Sequence, residues 1–201
     1  MDAIQKELIK AGRKDLAQEY YSRIAESAIK ILFKNDFLEL REIAIPNTPI
    51  KGYVYSHEKK SNGKKVVLLP FRKVDGKVQF LIRKEPVPCW EGMNFLPVSI
   101  TGSLENNIPR ETALHELKEE GGYEIEDIQL IDLGTSYGNK SCDTVYYLYT
   151  ADLTEVPRDD AEGDGSDLEK QSYCEWKDSI DGAVDPFVYV CFRKMRSYIG
   201  E

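Results

Sequence analysis

Apolar residues in the first part of the chain recur every three or four positions, and further along every two. Over residues 2–34 the helical period holds, with Leu16, Tyr20, Ile24, Ala28 and Ile31 on one face. Gly12 is placed to end a first piece of helix, so two pieces are expected. Asn35-Asp36 breaks the pattern. From residue 37 the period shortens. The runs FLELREIAI (37–45), IKGYVYS (50–56), KKVVLLPF (64–71) and KVQFLIRKE (77–85) predict strands, being rich in β-branched and aromatic residues. Asp75-Gly76 between the last two runs is a hairpin signal, and Asn62-Gly63 is a second turn signal.

A loop over 85–94 leads to another strand, FLPVSI (95–100). A helix over 109–121 follows, with Asn107 as N-cap, Pro109 in the first turn and Gly121-Gly122 as its stop. Residues 127–136 and 143–152 read as two more strands. In the second of these, Tyr146, Leu148 and Thr150 alternate with Val145, Tyr147 and Tyr149, so one face is expected in the core. After an acidic loop over 154–171 comes a short strand near Tyr173–Trp176. Asp185-Pro186 opens a last helix with Phe187, Cys191, Met195 and Tyr198 on one side. This order predicts an α/β (α+β) fold, a mixed sheet sandwiched between helices. Residues 1–36 read as an N-terminal helical extension and 37–201 as the main domain.

Composition narrows the setting. With 41% hydrophobic and 31% charged residues the chain can pack a core and stay soluble. No run approaches 18 apolar residues and the N-terminus lacks a secretory core, so no membrane span is expected. Cys89, Cys142, Cys174 and Cys191 are far apart, without zinc or disulfide spacing, which suits reduced thiols in the cytoplasm. A net charge of −8 argues against broad nucleic-acid binding. A phosphate-bearing ligand would have to be met by local positive charge or by a metal ion.

The chemistry concentrates in PRETALHELKEEGGY (109–123). Glu116, Glu119 and Glu120 stand at i, i+3 and i+4, on one face of the helix. Like charges so close repel unless water or a cation separates them. Mg²⁺ takes oxygen ligands and is held by a few carboxylates plus substrate phosphates, so this face suits it.

Glu116-Leu117-Lys118-Glu119-Glu120-Gly121-Gly122-Tyr123 matches EUXEEXGU, the second half of the pattern GX5EX7REUXEEXGU, position for position. The stretch from Gly102 to Tyr123 resembles the loop–helix–loop box of the Nudix hydrolases. Gly102, Leu104 and Glu105 match upstream if the loop has lost one residue. The loop glutamate falls on Asn107 or has been lost, and His115 stands where the family has an arginine that orients the box carboxylates. His115 serves that role only in part and only when protonated. The resemblance extends diffusely over residues 50–200. FLIRKE with Pro86 and Pro88, and the stretch from Gly134 to Asp152, are similar to ADP-ribose-type members.

The resemblance implies a Nudix-like sandwich and a Mg²⁺-dependent hydrolase, with Mn²⁺ as a substitute. Its substrate would be a nucleoside diphosphate derivative such as ADP-ribose or a nucleotide sugar. Glu116 and Glu120 would be direct metal ligands, Glu119 a ligand or a bridge through water, and a backbone oxygen near Gly102 would complete the shell. Glu162, Asp167 and Glu169 are candidates for a general base in the acidic loop, Glu169 being nearest the next strand. Arg83, Lys84 and Lys140 are candidates for phosphate or sugar, and Trp90 for stacking on a base or ribose. Members acting on ADP-ribose are commonly dimers, which implies a homodimer. Plainer readings stand beside these: Arg83 pairs with Glu85 or Glu105, Trp90 covers the core edge, Asn107 caps the helix, and His115 is structural. Two other functions remain open: removal of pyrophosphate from nucleoside triphosphates, and nucleotide sensing by a catalytically weak domain. A scaffold acting through its N-terminal helices is a third.

Overall fold

The computed structural model describes residues 3–44, 49, 51–104, 107–159, 161 and 169–200. By contacts the chain forms two compact units, one of residues 1–63 with 137–144 and one of 64–136 with 145–201.

The first unit begins with α1 (Ala3–Lys10) and α2 (Lys14–Ser27), separated at Gly12, whose φ is +75°. The helical period ends at Ser27, earlier than the sequence suggests. Residues Ile29–Lys34 form β1, paired antiparallel with β2 (Leu38–Ala44). Ile29, Ile31 and Phe33 alternate with Lys30, Leu32 and Lys34, a period of two that the spacing of Ala28 and Ile31 had disguised. β3 (Lys51–Glu58) completes the sheet in the order β1-β2-β3. Residues 137–144 dock on β3. Ser56 N donates to Ser141 O at 2.8 Å, the Tyr53 hydroxyl to Lys140 O, and His57 Nδ1 lies 2.9 Å from Asp143 Oδ2.

The second unit opens with β4 (Lys64–Leu68) and β5 (Phe71–Val74). The single run 64–71 is split because Pro70 has no N–H for a ladder. β5 turns back into β6 (Lys77–Pro86), with Val74 opposite Lys77 and both Asp75 and Gly76 at positive φ, a two-residue hairpin. A short helix α3 (Pro88–Glu91) precedes β7 (Phe95–Val98) and β8 (Ile100–Ser103). FLPVSI is interrupted at Ser99, whose N–H and hydroxyl both donate to the buried Asp185 carboxylate. Then follow α4 (Pro109–Glu119), β9 (Ile131–Tyr137), β10 (Val145–Thr150), β11 (Tyr173–Lys177) and α5 (Pro186–Ile199). The strands form two sheets, β8-β4-β10-β9 and β11-β6-β5, with β7 on β6. β4 and β10 run parallel and β4–β8 antiparallel, so the first sheet is mixed.

Alternation along the strands feeds two cores. Val66, Leu68, Leu81 and Tyr149 meet Ala113 and Leu117 of α4 on one side. Val67, Leu69, Phe80, Ile82 and Leu148 meet Val188, Cys191 and Met195 of α5 on the other. β10 is therefore covered on both faces, where one had been expected. Buried Thr150 is satisfied by donating its hydroxyl to Leu69 O at 2.7 Å. The fold class is the one expected, a mixed α/β arrangement with sheet strands between helices. Among the described residues no helix is long and apolar enough to cross a membrane.

Candidate active site

α4 starts where its sequence requires. Pro109 sits at the first helical position and Ile108 is the N-cap, without a side-chain cap bond. Asn107 is not the cap. Its φ is +61°, and its side-chain oxygen instead accepts from Lys64 Nζ at 3.1 Å, tying the loop to the start of β4. Ala113 and Leu117, one turn apart, bury the helix against the sheet with no exposed surface. That register sets Glu116 and Glu120 beside the buried stripe.

Glu116 lies against β8 at Gly102. A Cβ built on Gly102 would overlap the Glu116 carboxylate and its Cγ. Gly102 has no positive φ, so the glycine is needed for close approach and not for backbone conformation. Among the described residues, the sequence pairs a glycine on a strand with a carboxylate on a helix that fills the space of its missing side chain.

Glu120 is the C-cap of α4 and meets Arg83 of β6, with Arg83 Nη1 2.9 Å from Glu120 Oε2. Arg83 Nε donates to Glu85 Oε2 at 2.7 Å. Arg83 is 4% exposed. Burial works to lower its pKa, and the charges of Glu120 and Glu85 more than reverse that, leaving it above the ordinary arginine value. Of the partners weighed from the sequence, Glu85 is therefore correct, while Glu105 lies outside the described residues. Glu119 pairs with His115 one turn back, Nδ1 to Oε2 at 2.8 Å, on the more exposed flank of the helix.

The end of α4 is stapled to the segment that leads into the acidic loop. Gly122, at φ +74°, accepts from Asp159 N through its carbonyl at 2.8 Å. Arg158 Nε donates to Gly121 O at 3.1 Å and its Nη2 to Cys174 O at 3.0 Å. Tyr123 packs edge-on to Trp176 and accepts a bond from its indole N–H at 3.0 Å. None of Asp159, Arg158 and Trp176 is a site candidate from the sequence. Long-range closure of this kind leaves no local pattern to read.

The structure thus brings together Glu116, Glu120, Gly102 and Arg83. Lys84 stands apart from them. It follows Ile82 at a spacing of two, on the α5-side face of β6, while Arg83 follows Leu81 on the α4 side. Trp90 is half-exposed on α3. Lys140 belongs to the first unit, where its carbonyl accepts from Tyr53. Glu169 opens a 3-10 turn just before β11, and its side chain lies outside the described residues, as do Glu162 and Asp167 entirely.

Among the described residues no three His, Cys, Asp or Glu side chains converge into a preformed metal cage. Mg²⁺ does not need one, since it is usually held by one or two carboxylates with water and substrate phosphates. Glu116 in its Gly102 cradle and Glu120 one turn on are a donor set of that kind, and they fit.

Comparison with known proteins adds the fold. No family model matches the sequence, and no curated protein matches it. Among solved structures the chain is similar to the crystal structure of an ADP compounds hydrolase. The TM-score is 0.62 at 15% identity, covering 86% of this chain and 91% of that one. At that identity the likeness is one of fold.

Proposed function

We propose that the chain is a Nudix-type hydrolase that cleaves the pyrophosphate linkage of a nucleoside diphosphate derivative, such as ADP-ribose or a nucleotide sugar, with Mg²⁺ or Mn²⁺. The observation that carries the proposal is the fit of Glu116 into the space left by Gly102, one helical turn before Glu120. A likeness of fold to an ADP compounds hydrolase supports the substrate class.

Glu116 and Glu120 would hold the cation, with Glu119 as a further ligand or a bridge through water and the Gly102 carbonyl nearby. When bound, a divalent cation neutralises phosphate oxygens and acidifies water for attack on phosphorus. The protein's part is positioning. Leu117 locks α4 to the sheet, Gly102 admits Glu116, and Arg83 fixes Glu120. Arg158 anchors the start of the acidic loop at the end of α4, and that loop would supply the base, with Glu169 preferred. Trp90 remains a proposed substrate contact. By the same resemblance we place the protein as a homodimer, and by its widely spaced cysteines in the cytoplasm; the expected boundary between 1–36 and 37–201 is crossed by the β1–β2 pairing within one compact unit.

The test is a panel of ADP-ribose, nucleotide sugars and nucleoside triphosphates with Mg²⁺ or Mn²⁺, read as monophosphate release. Glu120→Gln should retain its fold and lose about 100-fold or more in rate. Pyrophosphate release from triphosphates alone would move the assignment to the triphosphate class. One observation favours a sensor as second reading. Glu119 and Glu120 already have side-chain partners, His115 and Arg83. Nucleotide binding without turnover across the panel would establish that reading instead.

A further inference from the structure

Resting on the proposed function, we infer that Arg83 is a positioning residue that acts through Glu120, and not a contact for substrate phosphate. Three observations meet at this side chain. It is nearly fully buried, which leaves little surface for an incoming anion. Both edges of its guanidinium are engaged, Nε with Glu85 at 2.7 Å and Nη1 with Glu120 at 2.9 Å. Its strand neighbours also hold it in place. Arg83 stands opposite Cys174 on β11 and opposite Val98 on β7, so it lies on a strand paired on both sides. A planar fork with fixed donor directions is suited to holding two carboxylates at a set angle, which a flexible ammonium is not.

The consequence is a division of labour along one helix turn. Glu116 is oriented by the space at Gly102 and Glu120 by a cation from the neighbouring strand. One oxygen of Glu120, Oε2, lies 2.9 Å from Arg83 Nη1, an ion-pair contact from β6 that is in place without any ligand. Glu85 completes the arrangement by holding the guanidinium from its other edge. The chain thereby obtains from a strand an orienting cation, at a helix where His115 occupies the corresponding box position and pairs with Glu119 instead.

The experiment measures Mn²⁺ binding by electron paramagnetic resonance alongside kcat and KM for ADP-ribose. The proteins compared are wild type, Arg83→Lys, Arg83→Met, Glu120→Gln and the double variant Glu120→Gln/Arg83→Met. Arg83→Lys keeps the charge and still gives a readout should Arg83→Met fail to fold, and the double variant removes both members of the pair. The inference expects Arg83→Lys to weaken Mn²⁺ binding about fivefold or more and to lower kcat, with KM within about threefold of wild type. It expects Arg83→Met to add less than about twofold to the loss of Mn²⁺ affinity when Glu120 is already Gln. A KM raised tenfold with Mn²⁺ affinity unchanged would overturn it in favour of a substrate contact. Equal losses from Arg83→Met in both backgrounds would overturn it too, since the residue would then act independently of Glu120. Wild-type protein that binds no Mn²⁺ removes the metal reading and this inference with it. Wild-type binding that Arg83→Lys leaves unchanged removes this inference alone.

Discussion

Replacing Gly102 by Ala isolates the contact on which the site depends. Gly102 lies in β8 opposite Val66 of β4, a residue with no exposed surface, so the strand has little room to retreat. The added methyl overlaps the Glu116 carboxylate and its Cγ, all on a flexible side chain. The cheaper relief is therefore a rotation of Glu116 out of its cradle. Overpacking of this kind costs about 1–3 kcal/mol, and about 2 kcal/mol is reasonable where a side chain can swing away. For a domain of this size that corresponds to a loss of about 4–8 °C in Tm. On the proposed function the cost in activity is larger, because a catalytic group misplaced by an ångström loses roughly 100-fold in rate. Thermal melts, Mn²⁺ binding and ADP-ribose turnover would be measured on Gly102→Ala, Glu116→Ala and the double variant. Glu116→Ala should restore most of the lost Tm in the Gly102→Ala background, because the overlapping atoms are gone. Activity and Mn²⁺ affinity within twofold of wild type in Gly102→Ala, or a Tm loss untouched by Glu116→Ala, would refute the reasoning.

Three more outcomes are expected. Burial pushes the thiols of Cys174 and Cys191 from an ordinary 9.0 up to about 12. The folded state then holds these protons longer than the unfolded chain, so stability is intact below pH 9 and falls as pH climbs toward 12, by on the order of 1 kcal/mol per thiol per pH step; urea midpoints that stay level from pH 8 to 10.5 would contradict this. Arg158→Ala removes two charged bonds to the carbonyls of Gly121 and Cys174, and should cost about 2–4 kcal/mol and speed amide exchange at Gly122 and Asp159. Gly76→Ala meets no atom within 4 Å yet must hold φ near +75°, so denaturant melts should show a loss of about 1 kcal/mol from backbone strain alone.

Features encoded by neighbouring residues were legible. The Asp75-Gly76 hairpin, the α5 start at Asp185 and Pro186, and the box helix with its glycine stop are all local patterns, and each appears where the residues place it. β1 was misread as helix because Ala28 and Ile31 fit a period of three as well as Ile29, Ile31 and Phe33 fit a period of two. Over six residues, pattern alone does not separate the two. Within the site, the shared helix face of Glu116 and Glu120 follows from spacing. Gly102 and Glu116 share the box stretch, but the overlap of the glycine's missing side chain with the carboxylate shows only in the fold, and the Arg83–Glu120 pair and the Arg158–Gly121 staple join residues too far apart for any local pattern. Lys84 was grouped with Arg83 because they are adjacent, yet adjacency along a strand is what sends two side chains to opposite faces.

The first compact unit is discontinuous in sequence: its final stretch, Tyr137–Thr144, is synthesised only after Ser136. As the chain leaves the ribosome, Tyr53, Ser56 and His57 emerge long before the segment that binds them. A fragment cut after Gly63 would be an unfinished body, and one begun at Lys64 would carry an arm stripped of its partners. Neither half of this gene is a module that recombination can lift out cleanly.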